Sequence, residues 1–209
     1  MKSILLAVIC LSNVLVLFAN PPLKDVPYSS FDIREHLLYN KGTEVLFSGQ
    51  INEKYPNGLL RMKGKAVNGK LEGTVSLFYS NGIKKSEGLF QDGIKNGHWS
   101  IWHKNKQLKA KGDYTNGYRN GKWMMYYPTG EKSQARMFKN GYNDQKFISW
   151  HQDGKIREEG EYFEGMIVGH WRTFYKDGEP RSHILYDQFG NLQIYEMWLE
   201  DGTKVEYGY

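Results

Sequence analysis

The feature that most constrains the fold is an internal period of 24 residues. A turn-forming pair, usually Asn-Gly or Asp-Gly, recurs in register at 57–58, 81–82, 129–130, 153–154, 177–178 and 201–202, with Asn105-Lys106 in the same register. Two glycine series keep the same spacing: Gly69, Gly93, Gly117, Gly141 and Gly165, and then Gly73, Gly97, Gly121 and Gly169, with Gln145 in the vacant place. Such a period indicates a repeat array in which each copy is one supersecondary unit.

Aromatic residues follow the same period in three columns. The first reads Val75, Trp99, Trp123, Phe147, Trp171 and Tyr195; the second reads Phe78, Trp102, Tyr126, Trp150, Phe174 and Trp198; the third reads Phe90, Tyr114, Phe138, Tyr162 and Tyr186. Side chains alternate along a strand, so the first two columns should face opposite sides of a sheet. We interpret the first as the core. The second supplies the candidate partner-binding face, formed by Trp102, Tyr126, Trp150, Phe174 and Trp198. The alternative is that both faces are packed.

The predicted unit is a β-hairpin, because Asn-Gly and Asp-Gly provide the positive φ angles of tight hairpin turns. One hairpin cannot bury its apolar face, so the copies must stack. We therefore predict an all-β, single-layer ribbon of about seven 24-residue hairpins over 41–209, roughly 65–70 Å long at about 4.8 Å per strand. Glycines such as Gly88 should let an aromatic ring of the next strand lie across bare backbone. The copy at 136–150, with Arg136 and Gln145 in glycine positions, should be the weakest or most bent.

The N-terminus has the layout of a secretory signal. Lys2 precedes an uncharged apolar run over 4–19, and a Pro-containing linker and cap follows at 20–40. Residues 1–19 are predicted to be a signal peptide cleaved after Ala19, with an uncleaved membrane anchor as the alternative. The one cysteine, Cys10, lies in this run, so the chain after it has no thiol for a disulfide or a metal. The predicted location is secreted, periplasmic or at the cell envelope.

The repeat unit resembles a known family. Gly121 to Gly130 reads Gly-Lys-Trp-Met-Met-Tyr-Tyr-Pro-Thr-Gly, and Gly169 to Gly178 follows the same pattern. This sequence is similar to the MORN repeat (membrane occupation and recognition nexus), and most similar to its bacterial variant, found in proteins named for the YwqK antitoxin. The resemblance covers about 45–205 and implies scaffolding, protein or lipid contact and, in some bacterial members, toxin neutralisation.

No catalytic signature accompanies the repeats. The sequence has no P-loop, no Gly-x-Ser-x-Gly and no Cys-x-x-Cys, and we predict no catalytic residues, no cofactor and no metal site. His98 and His170 share one repeat position, and His103 and His151 share another. Members of each pair would lie about 20–30 Å apart, too far to share a metal, and we interpret all four as strand-face residues.

The charge pattern makes nucleic acid an improbable partner. The net charge of +5 is small, and the basic residues are interspersed with acidic ones, whereas nucleic-acid binding needs a concentrated basic face. The predicted function is a non-enzymatic exported repeat scaffold that binds a protein partner at the cell envelope. The alternatives are an antitoxin or immunity protein that neutralises a toxin, and a surface protein that contacts membrane lipid.

Overall fold

The computed structural model describes residues 31–205, which form fifteen β-strands. β1 and β2 form a separate two-stranded sheet, and β3 to β15 form one 13-stranded antiparallel sheet in which spatial order follows chain order. The strands are β1 Phe31–Arg34, β2 Leu37–Asn40, β3 Gly49–Lys54, β4 Leu60–Val67, β5 Lys70–Phe78, β6 Lys84–Gln91, β7 Ile94–Trp102, β8 Leu108–Thr115, β9 Tyr118–Tyr126, β10 Lys132–Lys139, β11 Tyr142–Trp150, β12 Ile156–Phe163, β13 Met166–Phe174, β14 Pro180–Tyr186 and β15 Leu192–Met197.

The predicted all-β repeat ribbon is confirmed. Six complete hairpins run from β3–β4 to β13–β14, and β15 begins a seventh, with a further antiparallel bridge between Trp198 and Lys204. Over 31–205 no helix has the length and apolarity needed to cross a membrane. The predicted signal or anchor at 1–19 lies outside the described residues.

Each hairpin closes through the same turn. In the turn after β5, the Tyr79 amide donates to the Ile83 carbonyl at 2.8 Å, and the Gly82 amide donates back to the Tyr79 carbonyl at 2.9 Å. The turn after β7 has the same pair of bonds although Lys106 stands where the other copies have glycine. Lys106 therefore adopts a φ of +74°, a conformation that glycine adopts without strain.

The glycine columns on the strands exist for two different physical reasons. A Cβ on Gly112 would lie 2.4 Å from the Trp123 ring, and one on Gly160 would lie 2.1 Å from Trp171, so these positions need empty space. This confirms the prediction that the rings cross bare backbone. Gly121 has open space around it but a φ of +68°, so that column needs a backbone conformation instead. Gln145, in the same column, is held at a φ of +62°.

The core is a thin layer of aromatic rings on one side of the sheet. We call the side that carries Trp99, Trp123 and Trp171 the inner face and the opposite side the outer face. These three side chains are only 4%, 0% and 7% exposed. Edge-to-face contacts link them to the third column, with the ring centroids of Trp99 and Tyr114 5.6 Å apart and those of Tyr114 and Trp123 5.2 Å apart. Cationic side chains that share one repeat position, Lys95 and Arg119, cover these rings. Lys95 Nζ lies 4.5 Å from the Trp99 ring centroid, and Arg119 Cζ lies 4.4 Å from the Trp123 ring centroid.

The β1–β2 hairpin covers the N-terminal end of this core. Phe31 and Leu38 are buried with Ile51, Met62 and Ala66 of the first copy. The Leu38 amide also donates to the Gly69 carbonyl at 2.8 Å, which ties the hairpin to the turn between β4 and β5. The first hairpin of the ribbon therefore has its apolar face closed by a non-repeat element, as arrays of stacked repeats require at their ends.

Candidate functional site

The candidate partner-binding residues form one row along the outer face. Four of them, Trp102, Tyr126, Trp150 and Phe174, are the last residues of β7, β9, β11 and β13, and the fifth, Trp198, directly follows β15. All five side chains are partly exposed. Because successive members lie on every second strand, they recur about every 10 Å. We call these five residues the aromatic row.

A ladder of polar side chains along the hairpin-turn edge holds this row. The Tyr79 hydroxyl donates to the Trp102 carbonyl at 2.9 Å, and the Tyr127 hydroxyl donates to the Trp150 carbonyl at 2.7 Å. Histidine takes the place of tyrosine in two copies, where the ring Nε2 reaches the same carbonyl position. The full set, which we call the edge ladder, is Tyr55, Tyr79, His103, Tyr127, His151 and Tyr175.

The edge ladder corrects the interpretation of two histidines. His103 and His151 were predicted to be strand-face residues, but each lies in the hairpin turn just after a strand. His103 Nε2 is 3.0 Å from the Tyr126 carbonyl, and His151 Nε2 is 3.2 Å from the Phe174 carbonyl. A carbonyl can only accept, so each imidazole donates an N–H and acts as a tyrosine substitute. The 24-residue spacing of Tyr and His in this column was the sequence signal that could have revealed the ladder.

Cationic side chains flank the aromatic row. Lys84 Nζ lies 5.5 Å from the Trp102 ring, and Lys204 Nζ lies 5.8 Å from the Trp198 ring. Lys84 also donates to Glu87 at 2.6 Å. That bond, and then a second one from Ser76, lowers the pKa of Glu87, so this carboxylate is ionised at neutral pH.

A shallow groove lies between successive members of the outer aromatic column. Its volume is about 610 Å³, and it is open to solvent. Its lining combines two aromatic rings, two lysines and a hairpin turn: Phe78, Asn81, Gly82, Ile83, Lys84, Trp102 and Lys106. Apolar walls with cations at the rim suit a partner's apolar side chain next to an acidic group.

A polar side chain interrupts the inner face where the fourth hairpin, β9–β10, meets the fifth, β11–β12. Arg136, in the column that has glycine at Gly64, Gly88, Gly112 and Gly160, places its guanidinium carbon 4.8 Å from the Phe147 ring. Burial lowers the pKa of Arg136. Phe147 and Trp171 keep the edge-to-face contacts with the third column, through Tyr162, and in addition stack flat on each other with an interplanar angle of 9°. This stack and Arg136 distinguish the packing here from that of the other copies, and the lower stability or greater bend expected for 136–150 stays a prediction.

The remaining chemistry of residues 31–205 is sparse. This part of the chain contains no group of three or more His, Cys, Asp or Glu side chains that could hold a metal ion. A second open groove, about 400 Å³ in volume, lies at the edge opposite the hairpin turns and has a mostly charged or polar lining. None of the candidate residues reaches it.

Comparison with protein families identifies the repeat. The family model described as MORN repeat variant matches residues 71–92, 95–116, 146–164 and 167–188. The unmatched stretch between the second and third matches contains β9 and β10, which form the same hairpin, so the structural repeat is continuous where the sequence match is not. A search of curated proteins found no match.

Proposed function

Since the chain is a MORN-repeat protein, we propose that it is a non-enzymatic binding scaffold that presents its aromatic row to a protein partner. The narrower YwqK-type assignment stays a prediction from the sequence. The apolar run at 4–19 is the basis for placing the scaffold outside the cytoplasm, at the cell envelope.

The observation that carries the proposal is the contrast between two aromatic columns of equal period. The inner column is needed for folding, since Trp123 is 0% exposed and fits against Gly112. The aromatic row lies on the other face and every member is partly exposed, so part of each ring is available to a partner. Tryptophan and tyrosine are the residues that most often dominate protein interfaces, because they supply large contact areas at a low cost in side-chain entropy.

The geometry of the row suits an extended partner. Five members at intervals of about 10 Å span about 40 Å on a continuous sheet. The edge ladder fixes the backbone beneath each member, so the free scaffold already holds the row in its binding geometry, and little entropy is lost on association. The lysines beside Trp102 and Trp198 are each paired with a carboxylate, Glu87 and Glu196, so the row offers a partner mainly aromatic contact area.

The test is site-specific photocrosslinking in envelope extracts. A benzoylphenylalanine placed at Tyr126, in the row, should crosslink a defined partner. The matched control is Tyr118, an aromatic residue of the same strand that is 55% exposed at the opposite end. Trp102→Ala combined with Trp150→Ala should then remove the crosslink, whereas Tyr118→Ala combined with Tyr142→Ala should leave it.

Each alternative has its own outcome. A crosslinked partner that is a toxin, with growth protection lost in the Trp102 and Trp150 variant, would establish the immunity role instead of the scaffold role. Binding to vesicles of anionic phospholipid that depends on the same two residues, without any protein crosslink, would establish lipid contact. Equal crosslinking from Tyr126 and Tyr118 would refute the aromatic row as the binding surface.

A further inference from the structure

Two imidazole rings from neighbouring strands meet on the outer face near the C-terminal end of the ribbon. His170 lies on β13 and His183 on β14, with His170 Nδ1 and His183 Nε2 2.7 Å apart. The ring centroids are 5.0 Å apart and the ring planes differ by 23°. His170 is exposed and the His183 side chain is 24% exposed, so the pair lies at the surface of the ribbon.

The next strand fixes the orientation of His183. Its Nδ1 is 3.0 Å from Oε2 of Glu196 on β15, and Oε1 of the same carboxylate accepts from Lys204 Nζ at 2.7 Å. The Glu196 carboxylate is thus paired with the Lys204 ammonium and accepts a hydrogen bond on each of its oxygens. An ionised carboxylate only accepts, so His183 Nδ1 carries the proton and its Nε2 lone pair faces His170.

We propose that His170 and His183 form a two-histidine binding site for a divalent transition-metal ion such as Zn²⁺. Imidazole nitrogens suit Zn²⁺, Ni²⁺ and Cu²⁺, and two nitrogens bound to one ion at about 2.0–2.1 Å lie roughly 3–3.4 Å apart. The rings therefore need to separate by about half an ångström from their present contact and to turn so that both lone pairs converge on the ion. His170 moves its Nδ1 proton to Nε2, which frees the Nδ1 lone pair for the ion, and water completes the coordination.

Glu196 is a positioning residue in this site. Metal-binding histidines commonly donate their second N–H to a carboxylate, which fixes the tautomer and makes the ring a better ligand. One other cation lies nearby: Arg172 is paired in register with His183, but its guanidinium is directed to Glu159 at 3.5 Å. The strands that bear the site thus supply two imidazole donors and a carboxylate, and the cations Lys204 and Arg172 are each paired with a carboxylate.

The repeat itself provides the control. His98 occupies the position of His170 three copies earlier, but Lys111 stands where His183 would be. His98 contacts Asp113 at 3.1 Å and has no second imidazole beside it. The proposed site depends on the pair, so a variant at His98 removes an equivalent single histidine without touching the site.

The experiment is a titration of the untagged full-length chain with zinc chloride, followed by calorimetry and by the melting temperature. We expect one saturable ion per chain and a rise in melting temperature, since the ion binds the folded state. His170→Ala and His183→Ala should each abolish both effects. Glu196→Gln should weaken binding about 10- to 100-fold, and His98→Ala should change neither readout.

Three results would contradict the two-histidine site or require a second variant to decide. No saturable uptake by the wild-type chain would overturn the site. Binding that survives in the double variant of His170 and His183, or that His98→Ala reduces as much as His183→Ala does, would show scattered surface binding instead. If His183→Ala unfolds the chain, circular dichroism will detect it, and His170→Ala, at an exposed position, then decides the question.

Discussion

Gln145→Gly should stabilise the protein, although it removes a side chain. Gln145 is held at a φ of +62° in a column where Gly97, Gly121 and Gly169 adopt 67°, 68° and 66°. A non-glycine residue in this region of φ costs roughly 1–2 kcal/mol. Glycine adds freedom to the unfolded chain, which offsets about 0.4–1 kcal/mol of that gain. The Gln145 side chain is exposed, so its removal loses little packing.

The expected net effect is a gain of about 0.5–1 kcal/mol in the free energy of unfolding. For a chain of this size it should raise the melting temperature by about 1–4 °C. Urea titration measures the global change, and amide exchange across 136–150 measures the local one, which should be larger because a stack of repeats opens most easily at its weakest copy.

Lys146→Gly is the matched control, because it is an exposed neighbour on the same strand without a positive φ. It should destabilise by about 0.5–1 kcal/mol, the usual cost of a glycine within a strand. Gln145→Ala should be nearly neutral, since alanine keeps the strained φ. If Gln145→Gly destabilises as much as the control does, strain at this position is refuted, and the low protection expected for 136–150 would need another cause.

Three further predictions concern packing and charge. Gly112→Ala should cost about 1–3 kcal/mol by overpacking in urea titration, because the new Cβ meets the Trp123 ring at 2.4 Å; unchanged stability would show that the ring can move away. Trp123→Ala should cost about 3–5 kcal/mol in the same assay and Trp102→Ala clearly less, and equal losses would mean that both faces are packed. The pKa of Glu87 is lowered in the fold by Lys84, so the stability that Glu87 contributes is complete above its ordinary pKa of 4.5 and is lost as pH falls below that value. The stability difference between wild type and Glu87→Gln should therefore shrink between about pH 5 and pH 3, and a difference that does not change with pH would contradict the assignment.

The repeat could be predicted because the features that define it, side-chain alternation and the spacing of turns and glycines, depend only on residues within one copy or in adjacent copies. The alternation that placed Trp99 and Trp102 on opposite faces, and the open backbone at Gly88, depend on spacing alone. The edge ladder was visible in the same spacing but was missed, since Tyr79 and His103 differ in type and share only the ability to donate a hydrogen bond.

Contacts that depend on register between strands were harder to foresee. His170 and His183 are 13 residues apart, a separation that matches no column of the repeat. They meet because the two strands pair with Trp171 opposite Ile184 and Arg172 opposite His183. Each hairpin also contains a register shift, such as the one between Thr173 and Phe174, and these bulges set which side chains meet across strands. A sequence pattern read one strand at a time does not contain that information.

The two faces of the ribbon are not independent, and this links its stability to its proposed binding role. Trp102 follows the buried Trp99 by three residues on one strand, so inner packing determines where each outer ring lies. In the fifth hairpin the inner ring is Phe147 and the outer one is Trp150, and Arg136, on the second strand of the fourth hairpin, replaces the glycine beneath Phe147. The interval between Tyr126 and Trp150 therefore depends on the copy with the most altered core. An extended partner that contacts both Tyr126 and Trp150 must fit the distance between them or supply the free energy needed to change it. Binding and stability should therefore be most strongly coupled at the fifth hairpin.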